Sequence, residues 1–159
     1  RLSSVSTVSR WRMEPRLRAD GLLVVNDAYN ANPESMSAAV ETLGHIGRAR
    51  PGRSIAVLGE MLELGEDAGS GHRSVGLAVA AAEIDVLITV GEASEQIAEG
   101  ARAVSSWVGE SIITASRCEA LSWLKQNVSC DDAVLVKASR GAALELIVDG
   151  ILLEGAAAR

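Results

Sequence analysis

Three short stretches of this 159-residue sequence concentrate side chains able to do chemistry. They are VVNDAYNANPES (24–35), GEMLELGE (59–66) with His72 close behind, and KASRG (137–141). In the first, Asp27 directly follows an apolar run, where a carboxylate often takes a ribose hydroxyl. Tyr29 is the one Tyr of the chain; such a ring can stack on a base or lie on a surface. Asn32, Pro33 and Glu34 also have a structural reading, as N-cap, first helical residue and an acid at the helix's positive end. The second stretch mixes acids, two Gly and apolar residues, as a loop folding over a small ligand would. His72, near a helix start, suits a cap or the surface better than catalysis. In the third stretch, Lys137 is read as snorkelling at a strand edge and Ser139 as capping the helix that follows. Arg140 suits either a two-pronged grip on a carboxylate or a surface salt bridge.

What is missing narrows the chemistry. There is no GK dipeptide and hence no Walker A loop, and GSGHRSVG has the wrong spacing for GxGxxG. No GxSxG or Ser-His-Asp signature stands out. By itself the chain lacks the usual means of holding a triphosphate. Cys118 and Cys130 form no CxxC and sit in no His cluster, so they read as reduced structural thiols and not as a metal site. A net charge of −6 argues against general nucleic-acid binding. The charge is uneven: residues 1–18 hold five Arg and one acid, and the remainder holds 10 basic and 20 acidic residues. The first 18 residues have no apolar segment of signal-peptide type, and no stretch is apolar enough to span a membrane.

The elements that must position these loops alternate. Strands are expected at 21–26, 54–58, 86–90, 112–114 and 133–137. Helices are expected at 33–46, 71–82, 94–104, 118–127 and 142–153. With 48% hydrophobic residues and no Phe, the core must be Val, Leu, Ile and Ala, which suits a parallel sheet under Ala-rich helices. The expected fold is therefore a three-layer, doubly wound, mainly parallel α/β sheet with right-handed crossovers. Ligands of such sheets sit at the carboxyl ends of the strands, where all three stretches fall. The basic opening segment reads as an edge piece or linker. The chain starts without Met and is expected to be a fragment.

Taken together, VVNDAYNANPESMSAAVETL, AVLGEMLELGE with His72, VLVKASRG and the SRWRME of residues 9–14 resemble the C-terminal domain of the Mur ligases. The resemblance is strongest to the D-alanyl-D-alanine-adding (MurF) type, and it runs from about residue 7 to 153. One departure is Ala138, where that type usually has the Gly of KGSR. The resemblance implies a Rossmann-like lid domain of a three-domain cytoplasmic enzyme. Such an enzyme uses ATP and Mg2+ to activate the terminal carboxylate of UDP-MurNAc-tripeptide as an acyl phosphate, which the amine of D-Ala-D-Ala attacks. It implies a hinge within residues 1–14, a C-terminal domain over 15–155 and a frayed tail over 156–159. Arg12 would be the hinge Arg that reaches the ATP phosphates and serves catalysis. Asp27 would take the ribose hydroxyls, with Tyr29 and Asn30 on the nucleotide side. Glu60, Met61, Leu64, Gly65, Ser139 and Arg140 would lie on the dipeptide side. No metal ligand is expected on this chain, since metal and phosphates would be held mostly by the central domain. The isolated domain is expected to be inactive and monomeric, with no nucleic-acid or membrane partner.

Two other readings compete. One is the corresponding domain of another Mur ligase or of folylpolyglutamate synthase. The other is a free-standing Rossmann-like binding module such as a receiver domain, which would need an acidic pair before Asp27 that the sequence lacks.

Overall fold

The computed structural model describes residues 13–157. Among them six strands form one sheet, and five α-helices cover it. In chain order these are β1 (Glu14–Leu17), β2 (Leu23–Asp27), α1 (Pro33–Arg48), β3 (Ser54–Gly59), α2 (Ala68–Ala81), β4 (Val86–Val90) and α3 (Glu95–Arg102). They are followed by β5 (Glu110–Thr114), α4 (Arg117–Asn127), β6 (Ala133–Lys137) and α5 (Glu145–Ala157). Short 3-10 turns at Gly65–Asp67 and Arg140–Ala142 precede α2 and α5.

Every residue of β3, β4 and β6 is buried. That is the signature of strands covered on both faces, and it is why their sequences are continuous apolar runs. Alternate residues feed two cores. Val25, Ala56, Leu58, Leu87 and Leu135 meet Met36, Leu43, Val75, Val79 and Ile97 of α1–α3. Val24, Val57, Ile88, Val134 and Val136 meet Leu124, Ile147, Val148 and Ile151 of α4 and α5. The expected three-layer, doubly wound architecture is therefore the observed one. On the first face, α2 and α3 approach backbone to backbone, with Gly76 against Ile97 and Gly100 against Arg73.

The strand order is β1-β2-β6-β3-β4-β5, parallel except for the β1–β2 hairpin. The chain steps outward through β3, β4 and β5, then returns to insert β6 between β2 and β3. There the covering helices change face. This reversal is the switch point at which such sheets open a crevice at their carboxyl ends.

Several elements differ from expectation at their ends. Glu110 and Ser111 join β5 because an edge strand needs no apolar run. Helix α5 starts at Glu145 and not at residue 142, since residues 140–142 take a 3-10 turn and Ala143 adopts φ 54°. Helix α2 begins three residues early, at Ala68. Of the two readings of the opening segment, edge piece or linker, Glu14–Leu17 takes the first and forms an edge strand, and that strand is clamped. Arg18 holds Asp20 through two hydrogen bonds of 2.9 and 2.7 Å, and donates to the Ile151 carbonyl of α5 at 2.8 Å. Both Cys residues are free and exposed. Among the described residues no helix is long and apolar enough to cross a membrane.

Candidate functional site

The register of β2 against β6 makes Asp27 and Lys137 Cα partners at the carboxyl end of the sheet. Partners in register share a face, so both side chains lie on the α1 side. Lys137 Nζ donates to Asp27 Oδ2 at 2.8 Å and to the Asn30 carbonyl at 3.0 Å. Lys137 is 3% exposed and Asp27 5%. Two such charges are tolerated out of water only because they meet. The expectation that Lys137 snorkels at an edge is thus corrected: β6 is central and offers no edge, so the ammonium turns to the nearest carboxylate. Asp27 Oδ1 accepts no hydrogen bond from any described residue. Asp27 and Lys137, with Asn30, Asn32, Ser35, Thr42 and Met13, line a cavity of about 430 Å³.

The Asn-rich turn divides its labour. Asn26 Oδ1 accepts the Ala28 N–H at 3.2 Å and closes the turn. Asn32 caps α1: its Oδ1 accepts the Ser35 N–H at 2.8 Å, and Ser35 Oγ accepts the Asn32 N–H at 3.1 Å. Pro33 occupies the first helical turn. Asn30 is exposed and faces the cavity. Tyr29 is half-buried and carries the Arg140 guanidinium over its ring, 5.4 Å from the centroid, within cation–π range.

The loop after β3 is pinned from three elements. The Glu60 carbonyl accepts the Ser139 N–H at 3.0 Å, and Ser139 Oγ accepts the Leu62 N–H at 2.8 Å. Glu60 Oε2 accepts the Ala93 N–H at 3.1 Å. The Met61 N–H donates to His72 Nε2 at 3.0 Å. Gly91 is required beside this carboxylate, because it has φ 97° and a Cβ there would sit 2.7 Å from Glu60 Oε2. Two expectations change here. Ser139 caps no helix; its hydroxyl holds the β3 loop. His72 is neither surface nor cap but fully buried, with both ring nitrogens in use.

The structure thus brings Asp27, Tyr29 and Asn30 to one side of β6, and Glu60, Met61, Leu64 and Gly65 to the other, with Ser139 and Arg140 between. Met61 is buried at 3% exposure, Leu64 is half-buried and Gly65 is exposed. Arg12 lies outside the described residues. Sequence reasoning passed over Lys137 as a site residue. The signal was there: a Lys ending an apolar run in a parallel sheet must find a buried partner.

The sequence profile of the family described as "Mur ligase, glutamate ligase domain" matches residues 11–140. The chain belongs to the Mur ligase family. A UDP-N-acetylmuramoyl-tripeptide–D-alanyl-D-alanine ligase of Mycobacterium leprae is 37% identical over 98% of this chain and 32% of its own length. The Bacillus subtilis protein of that name is 37% identical over 91% of this chain and 31% of its own. The chain spans about a third of the length of these curated relatives. A crystal structure of MurF ligase from Thermotoga maritima in complex with ADP superposes with a TM-score of 0.72 at 26% identity. It covers 94% of this chain and 32% of that one.

In this Mur ligase domain the departure at Ala138 has a physical counterpart. A Cβ on Gly59 would stand 2.7 Å from the Ala138 Cβ, so Ala138 fills room that Gly59 leaves. The cavity beside Asp27 also suits part of a nucleoside. It offers an adjacent amide and a carboxylate with one oxygen that accepts no hydrogen bond among the described residues; Tyr29 belongs to the same turn but is not part of the cavity lining. The cavity offers no Gly-rich cradle for phosphates.

Proposed function

We propose that the chain is the closing domain of an ATP-dependent ligase that joins D-alanyl-D-alanine to UDP-MurNAc-tripeptide. The observation that carries this is the pairing, across β6, of the Asp27–Lys137 cavity with a pinned loop bearing Glu60, Met61 and Leu64. One side suits a nucleoside and the other a small amino component. The names of the M. leprae and B. subtilis relatives support the choice of substrates, and the ADP in the T. maritima neighbour supports the nucleotide.

In this reading Asp27 accepts the ribose hydroxyls through the oxygen that Lys137 does not use. Lys137 holds the carboxylate aimed. Tyr29 and Asn30 line the nucleotide side, and Arg12 reaches the phosphates when the domain closes, where a cation stabilises developing charge. Glu60, Met61, Leu64 and Gly65, with Ser139 and Arg140, hold the dipeptide. Met61 serves through its backbone, because its side chain is buried. ATP supplies the phosphoryl group that activates the tripeptide carboxylate. Its phosphates and Mg2+ are held by upstream parts of a longer chain, and residues 1–14 form the hinge to them, before a C-terminal domain of 15–155 and a tail of 156–159. The working location is the cytoplasm, and the working form is a monomer. Effective positioning needs both halves of the cleft, so this domain alone does not ligate.

The test is product formation by the longer parent chain with ATP, Mg2+, UDP-MurNAc-tripeptide and D-Ala-D-Ala. Pentapeptide appearing only with the parent is the expected result. A parent that ignores D-Ala-D-Ala but accepts another ligase's amino acid would overturn the substrate assignment. Ligation by residues 1–159 alone would overturn the lid reading.

A further inference from the structure

We infer that His72 is a positioning residue whose imidazole fixes the backbone of the 60–65 loop and so sets that loop's grip on the incoming amino component. The second half of this statement rests on the function proposed above. The first half rests on geometry alone.

His72 sits in the second turn of α2 with no exposed surface. Its Nδ1 lies 2.6 Å from the Ala68 carbonyl oxygen. A carbonyl only accepts, so Nδ1 carries the proton. Nε2 is then a lone pair, and it accepts the Met61 N–H at 3.0 Å. One neutral tautomer satisfies both contacts. Burying an imidazole is costly unless both nitrogens are paired, and a purely apolar side chain would fill the same space. What the imidazole adds is an acceptor for a backbone N–H that has left the sheet.

That acceptor sits at a decisive point. Met61 is the second residue beyond β3, and among the described residues His72 is the partner of its N–H. The other anchors of the loop come from β6 and the β4 turn, through Ser139 and Ala93. The Ala68 N–H at the start of α2 holds the far end of the loop at the Gly65 carbonyl, and His72 ties its near end, at Met61, to the same helix. The next step of the loop needs that guide, because Glu63 and Gly65 both take positive φ, 65° and 60°. The same helix turn receives the Leu64 side chain: a Cβ on Gly71 would meet Leu64 Cδ1 at 2.9 Å. The first two turns of α2 therefore form the bed of the loop, and His72 is its polar fastening.

Two substitutions separate positioning from filling. In His72→Asn the amide reaches the Ala68 carbonyl but not Met61. In His72→Gln the longer amide can present an oxygen to the Met61 N–H. Both are made in the full-length parent chain. The Michaelis constants for D-Ala-D-Ala and for ATP are measured, with hydrogen exchange of the 59–66 segment. For His72→Asn the expected result is a dipeptide KM raised about tenfold, on the scale of one lost hydrogen bond. The ATP KM stays unchanged and exchange in 59–66 is faster, and His72→Gln recovers most of both effects. Equal increases in both KM values, or unchanged exchange in 59–66, would overturn the inference. If the wild-type parent does not use D-Ala-D-Ala, the functional reading fails by itself. The exchange arm then decides the role of His72: acceleration in His72→Asn but not in His72→Gln supports it, and no difference overturns it.

Discussion

The two ends of the sheet carry similar side chains and use them differently. At the amino ends, Asp132 is 2% exposed and spends both oxygens internally. It accepts the Arg53 and Ser129 N–H groups at 2.7 and 2.8 Å and the Arg53 guanidinium at 3.2 Å. Asp85 accepts from Ser54 twice, at 2.8 and 3.1 Å, and Arg50 donates to the carbonyls of Gly21, Cys130, Asp131 and Asp132. At the carboxyl ends, Asp27 is also buried, but among the described residues only one of its oxygens is engaged, and the residue opens on a cavity. A polar group whose partners are all internal is a fastening. A buried one with capacity left over, facing a cavity, is a binding group held ready. Burial and charge alone do not tell them apart; the count of remaining partners does.

That contrast makes ranked predictions. Lys137→Met leaves Asp27 buried and unpaired and is expected to cost about 3–5 kcal/mol of stability in urea titrations. Adding Asp27→Leu recovers most of that stability but none of the ATP use of the parent chain. If the double variant regained ATP use, the pair would be a fastening like those of the other end. Asp132→Ala strips three donors of their acceptor and is expected to cost about 3 kcal/mol. Turnover per folded molecule should then be unchanged. Asn32→Ala removes the cap of α1 beside the cavity and should cost about 1 kcal/mol, read as a lower urea midpoint.

The smallest effect is at the hairpin. Hydrogen bonds from the Arg18 guanidinium, opposed by slight burial and helped by the Leu22 N–H, lower the Asp20 carboxyl from 3.8 to about 2. A lowered carboxyl stabilises the fold above its ordinary value, and that contribution disappears as pH falls from about 4 to about 2. The pair is partly exposed, so salt weakens it. Asp20→Asn should flatten the acid limb of a stability-versus-pH curve slightly, and less so in high salt.

How far the sequence reaches depends on what each element buries. β4 and β6 are legible to the residue, because strands covered on both faces must be apolar throughout. The edges are less so: β5 shows solvent to Glu110, and its first residues carry no pattern. The cap at Asn32 and Pro33 is local and was legible. Asp27 was legible as a strand-end carboxylate, but its partner Lys137 lies 110 residues away. That pairing follows only from β6 inserting between β2 and β3, which no local pattern states. His72 was misjudged for the same reason. Its neighbours Ala68 and Met61 are close in sequence, yet its burial depends on the loop folding back over α2.

One measurement addresses the contrast most directly: kcat/KM for ATP in the full-length parent chain with Asp27→Asn and, separately, Asp132→Asn. Both changes remove one buried negative charge at opposite ends of the same sheet. Asp27→Asn is expected to lower kcat/KM by about a hundredfold, the scale of a strong hydrogen bond to a charged acceptor, while Asp132→Asn lowers stability and leaves kcat/KM per folded molecule unchanged. Equal losses from the two, or a larger loss from Asp132→Asn, would contradict the division of the sheet into a fastening end and a binding end.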